Sequence, residues 1–143
     1  MGKINKEFDL MKVITDGAAP PPCDLTLQIA VNSANDGIAQ GIWKVDDQFM
    51  NGLGVAMGGF VSSAADIMMA YAIASKLTVG QSFTSIDLHT TFHRPILKGE
   101  VLVEARVERL GRKVAYVVSD LFQNEKKAAS VVSSVMIIGE EVI

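Results

Sequence analysis

The sequence predicts an α+β domain in which one long buried helix lies against an antiparallel sheet. Three observations predict it. A hairpin signal stands near residue 36, a later stretch is apolar around its whole helical circumference, and short-turned alternating segments fill the rest.

Taken in order, Ile4, Phe8 and Met11 follow a helical period and Gly17 stands where a C-terminal cap would, which predicts a short amphipathic helix over 3–15. Ala18 to Pro22 reads as an extended link, since three consecutive prolines do not continue a helix. Leu25, Leu27, Ile29 and Val31 alternate with polar or small residues and predict a strand. Asn35-Asp36-Gly37 is a tight-turn signal, so Ile38 to Val45 is expected to return as the second strand of a hairpin. A Gly-rich loop over 46–56 leads to a central helix over about 57–76. Beyond Gly80 four strands are expected. In the first, Ile86, Leu88, Thr90 and Phe92 share one face, and Ser85, Asp87, His89, Thr91 and His93 the other. Tight connections make neighbouring strands antiparallel. The whole of 1–143 reads as a single domain.

Composition narrows the function. Hydrophobic residues make up 49% of the chain and charged residues 20%, which argues against disorder and leaves an apolar surplus suited to burial between subunits. A net charge of −3 with scattered basic residues gives no footprint for nucleic acid. One cysteine cannot form an intrachain disulfide, and with two histidines it supplies little for a metal. Met1 to Gly17 lacks the uncharged core of a signal peptide, and no stretch is apolar enough for a membrane span. The expectation is a cytoplasmic protein without membrane association.

The stretch Met57 to Ser75 carries the chemistry. Phe60, Ala64, Ile67 and Tyr71 form one stripe, Met68, Met69 and Ile73 fill other faces, and Asp66 is its only charged residue. A helix apolar all round is buried. A carboxylate there is costly unless it is solvated, paired or protonated, and Asp66 lies too deep to cap the helix start. It either faces a wet edge, pairs with a base, or acts in a reaction. Gly58 and Gly59 at the helix start admit a ligand oxygen onto the backbone N–H groups, the requirement of an oxyanion hole, or simply make a tight turn into the helix.

Asn51-Gly52-Leu53-Gly54-Val55-Ala56-Met57-Gly58-Gly59 followed by Asp66 resembles the loop-and-helix signature of the hot dog fold thioesterases. The likeness is greatest to the phenylacetate-degradation and 4-hydroxybenzoyl-CoA thioesterase-like group. Ser85-Ile86-Asp87, Thr91-Phe92-His93-Arg94-Pro95 and Gly111-Arg112-Lys113 extend it over about residues 25–138. The resemblance implies a sheet wrapped around the central helix and hydrolysis of an acyl-CoA thioester. Asp66 would be general base or nucleophile, and the Gly58 amide, with Gly59, would polarise the carbonyl. Asn51 would position water or the substrate carbonyl, Ser85 would orient water beside Asp66, and Arg112 and Lys113 are candidates for the coenzyme A phosphates. The site would span two subunits of at least a dimer, extending to a tetramer, with no cofactor beyond the substrate itself.

One residue departs from the pattern. The family's His before Gly-Gly is Met57, whose thioether cannot donate a hydrogen bond. The backbone oxyanion hole survives this change, because it uses main chain. Met57 nonetheless keeps a second reading open, a non-catalytic acyl-CoA-binding module. A hot dog dehydratase or hydratase ranks lower, because it needs a paired His for acid–base work.

Overall fold

The computed structural model describes residues 2–5 and 8–139. Its elements are α1 (Met11–Thr15), α2 (Pro22–Leu27), β1 (Ile29–Asn35), β2 (Ile38–Val45), α3 (Gly58–Ala74), β3 (Ser82–Ser85), β4 (His89–Phe92), β5 (Gly99–Leu110), β6 (Val114–Gln123) and β7 (Lys126–Ile138). The strands form one antiparallel sheet in the order β1-β2-β5-β6-β7, with β3 and β4 both pairing along the far side of β7. Helix α3 packs on one face of that sheet, as the apolar circumference of its sequence requires.

The hairpin forms where the turn signal places it. Asp36 and Gly37 both take positive φ, +49° and +82°, the conformation that a two-residue turn between twisted strands needs. Gly37 N–H donates to Ser75 Oγ at 2.7 Å and Lys76 Nζ meets Asp36 Oδ1 at 2.9 Å. These contacts fasten the turn to the end of α3. Along β2 the inward residues are Ala39, Gly41, Trp43 and Val45. Gly41 is obligatory: a Cβ there would lie 2.3 Å from the Ala30 carbonyl oxygen and 2.6 Å from Met68 Cε. Because main chain on a paired strand cannot yield as a side chain can, Gly41→Ala is expected to cost about 3 kcal/mol, read as a lower urea midpoint.

The amino-terminal prediction is corrected. The first helix is only Met11–Thr15; residues 3–5 and 8–10 are not helical, and 6–7 lie outside the described residues. Asp9 accepts a hydrogen bond from Met11 N–H at 3.0 Å, so it starts the helix there, and Ile4 and Phe8 are exposed with no surface to pack on. Pro22 does enter a helix, at its first position, where the missing N–H has no intrahelical role. Leu25 and Leu27 therefore belong to α2, and the strand begins only at Ile29. Gln28, in the left-handed conformation, ends α2. The alternation that suggested a strand is overridden by Asp24, which is 2% exposed and accepts a hydrogen bond from Tyr71 OH at 2.6 Å.

The expected strand through residues 85–93 is broken in two. Ser85 stands opposite Val135 and His89 opposite Val132, so one extra residue is accommodated between them. Ser85 faces α3 with Phe83 before this bulge, and Thr90 and Phe92 face it afterwards. A regular strand would have put Ser85 and Thr90 on opposite faces. Phe49, Met69 and Tyr71 are buried in the core, with Phe49 between the rings of Trp43 (5.8 Å) and Phe60 (5.1 Å).

Candidate active site

The loop before α3 is built by Asn51. Its Oδ1 accepts from Leu53 N–H at 2.9 Å and Val55 N–H at 3.2 Å, while Asn51 N–H donates to the Val55 carbonyl at 2.7 Å. The loop then docks through Ala56 N–H on the Ile96 carbonyl and Met57 N–H on the Phe49 carbonyl, both 2.8 Å. The Asn51 carbonyl oxygen is thus engaged in shaping the loop, which leaves its amide group as the part able to meet a ligand.

Met57 is the residue before the first turn of α3 and gives it no side-chain cap. The N–H groups of Gly58 and Gly59 have no acceptor within the helix by its geometry, so they are placed for an outside oxygen. Gly58 has a second, internal reason to be glycine. A Cβ there would stand 2.9 Å from Phe92 Cζ, so the ring closes against the helix start. Phe92 is 55% exposed and Met57 46% exposed, which flanks the N–H groups with an aromatic ring and a thioether. One turn further, Ser62 Oγ and Thr90 Oγ1 lie 2.6 Å apart, joining α3 to β4.

Asp66 stands on α3 toward β3, with the expected Ser85 close enough to bear on its carboxyl. One side of Asp66 is open to solvent in the single protomer, yet the apolar surroundings of its carboxyl dominate. Burial raises its pKa above the ordinary aspartate value, and the nearby Ser85 side chain opposes that rise. A carboxylate so poised is a stronger base than a solvated one.

The structure therefore joins Asp66 to Ser85 and Asn51 to the helix start, but it keeps these two groups apart. Eight residues at the helical rise put Gly58 and Asp66 about 12 Å apart along α3. Arg112 and Lys113 are farther still. They sit in the β5–β6 turn, beyond the C-terminal end of α3, which lies about 24 Å from Gly58. Arg112 shares a hollow of about 300 Å³ with Lys76 and Thr78, and with Lys113 borders a second of about 830 Å³ beside Val114 and Met136. His89 and His93 lie on the sheet face away from α3. His93 Nε2 is 3.1 Å from Ser130 Oγ, and His89 is 3.7 Å from Asp87, so neither histidine replaces the imidazole missing at Met57 within the protomer.

The sequence did not single out Ser62, Thr90 and Phe92 as parts of one wall. Ser62 carried a usable signal, four residues after Gly58, where its Oγ donates to the Gly58 carbonyl at 3.2 Å. Thr90 and Phe92 carried none, because the bulge reverses their face. Among the described residues no group of His, Cys, Asp and Glu is arranged to hold a metal, and no helix is long and apolar enough to cross a membrane.

Comparison with known proteins identifies the fold and the family. Residues 53–130, from the loop before α3 into β7, match the thioesterase superfamily. A candidate esterase of Pseudomonas aeruginosa is 31% identical over 88 residues, 61% of this chain and 66% of that protein, so the match spans just under two thirds of the relative. A candidate thioesterase from Ralstonia eutropha JMP134, described as phenylacetic acid degradation-related, superposes with a TM-score of 0.84 at 27% identity, covering 90% of this chain and 99% of the other. The PaaI protein of the phenylacetic acid degradation operon of E. coli gives 0.77 at 25% identity, covering 86% and 88%. With more than half its length matched and its sheet wrapped around α3 in the hot dog fold, this chain belongs to the thioesterase superfamily.

Proposed function

We propose that the protein is an acyl-CoA thioesterase whose site is completed by a second copy of the chain. The observation that carries this reading is the separation on α3. A partly buried carboxylate beside Ser85 and a pair of helix-start N–H groups lie about 12 Å apart, too far to act on one carbonyl. Asp66 stands by β3, and β3 with β4 forms an open edge of the sheet where Ile86, Leu88 and Phe92 are exposed. A copy joined at that edge with its α3 running oppositely sets its Gly58 beside this Asp66. The exposed apolar residues Val114, Tyr116, Met136 and Ile138 on the other face of the sheet suit a further pairing into a tetramer.

In this site the Gly58 N–H, with Gly59, holds the thioester oxygen as negative charge develops on it. Asp66 either takes a proton from the attacking water or attacks the carbonyl itself. In both routes the C–S bond breaks, coenzyme A leaves as thiolate and is protonated, and water supplies the oxygen of the acid. Ser85 holds Asp66, and the Asn51 amide steers the substrate. Arg112 and Lys113 offer charge for the coenzyme A phosphates. Met57, open at the helix start, favours the second reading, an acyl-CoA-binding module without turnover.

Two measurements decide. Aliphatic and aromatic acyl-CoA thioesters are incubated with wild type, and thiol release is followed; binding without release establishes the module instead. Asp66→Ala and Asn51→Ala chains, each inactive, are then unfolded together and refolded. A composite site predicts recovery of about a quarter of wild-type activity, since half the dimers are mixed and each carries one intact site. No recovery refutes the shared site.

A further inference from the structure

The bulge between β3 and β4 is held through Asp87, by its carboxylate and by its main-chain carbonyl. Ile86 N–H donates to the Ser134 carbonyl at 2.8 Å, so a regular ladder would return Ser134 N–H to the Ile86 carbonyl. Instead Ser134 N–H donates to Asp87 Oδ1 at 2.8 Å, and Ser133 Oγ donates to the Asp87 carbonyl at 2.7 Å. The carboxylate thus occupies a main-chain rung, and the extra residue is stabilised there by a charge-assisted hydrogen bond.

We infer that Asp87 is a positioning residue: the bulge it pins turns Ser85 toward Asp66 while keeping Thr90 and Phe92 on the same, helix-facing side. Without the extra residue, strict alternation gives up one of the two. Either Ser85 leaves Asp66, or Thr90 leaves Ser62 and Phe92 leaves Gly58. Both halves of the proposed site, the carboxylate end and the helix start, therefore depend on one carboxylate outside them. The catalytic meaning rests on the thioesterase reading; the aiming of Ser85 does not.

The groups around these carboxylates are few. Asp66 is shifted by burial and by Ser85 from β3, and among the described residues no charge from the packed strands or from α2 contributes. Asp87 has the exposed His89 at 3.7 Å. The nearby Ser85 side chain lowers the Asp66 pKa, so misdirecting Ser85 moves that pKa upward.

The test uses full-length wild type, Asp87→Ala, Asp87→Asn, Ser85→Ala and Ser133→Ala. Two readouts are taken: the pH profile of kcat on the best acyl-CoA, and the titration of the Asp66 carboxyl carbon by NMR. Asp87→Ala is expected to move the acidic limb and the Asp66 titration to higher pH, as Ser85→Ala does, with kcat falling about fivefold, the worth of one hydrogen bond, and KM little changed. Asp87→Asn keeps the accepting Oδ1 and retains the wild-type titration. Should Asp87→Ala not fold, Ser133→Ala, which loosens the other tether, carries the same upward direction. The inference is overturned if the folded Ala variant titrates as wild type, or if Asn shifts as far as Ala, which would point to the charge beside His89. A wild type silent on every acyl-CoA refutes the thioesterase reading alone, and the NMR titration still decides the aiming of Ser85.

Discussion

Asp66→Asn is expected to abolish thioester hydrolysis while making the protein more stable at neutral pH. The loss in kcat is expected to be about 10³-fold, the range for removal of a positioned base, and larger if Asp66 is the nucleophile. The gain in stability follows from the sign of the pKa shift. Burial holds the folded carboxyl above its ordinary value, so between that value and the raised one the folded chain binds more protons than the unfolded chain. Stability contributed by the protonated carboxyl is full below the unfolded value and is lost as pH rises through the folded one. At neutral pH wild type carries an ionised, partly desolvated carboxylate that the amide variant lacks. Thermal melts across pH should show the Asn variant ahead at neutral pH and level with wild type in acid. The kcat profile of wild type should rise with pH through the same raised value, because the ionised form is the active one. Equal stability at all pH would mean that the Asp66 carboxyl carries no burial cost.

Tyr71→Phe is expected to destabilise the fold by about 2–3 kcal/mol, because it strips the buried Asp24 of its 2.6 Å donor. Among the described residues the other oxygen keeps the weak Cys23 Sγ contact at 3.4 Å. A double cycle with Asp24→Ala should return most of that cost as coupling, since the phenol loses its reason to matter once the carboxylate is gone. The pair also sets alkaline stability. Burial first, then the Asp24 hydrogen bond, raise the Tyr71 pKa far above the ordinary phenol value. Above about pH 10 the unfolded chain releases this proton and the folded chain does not, so wild type should lose stability there more steeply than the Phe variant. Urea unfolding at neutral and alkaline pH reads both effects.

These two residues also mark how differently the sequence disclosed its parts. Asp66 was legible because it is the only charge in a nineteen-residue, largely apolar helical stretch, and the helix followed from the same stretch. Asp24 was invisible. In sequence it sits in a run that alternates like a strand, and only Tyr71, 47 positions away, explains why that run coils into α2. Ser85 was named as a site residue and does meet Asp66, but the face assigned to its neighbours was reversed beyond Asp87. Arg112 and Lys113 were named too, and the fold puts them at the opposite end of α3 from Gly58.

By itself the sequence determined the fold class, the hairpin at Asp36-Gly37, the central helix and the charge within it. Those features are local, since turn conformation and hydrophobic period are properties of adjacent residues. Tertiary structure alone decided α2, the bulge at Asp87 and the wall made by Thr90 and Phe92. Each of these depends on hydrogen bonds or packing between residues distant in the chain. A one-residue change of register, costing nothing in composition, reverses which side chains face the helix.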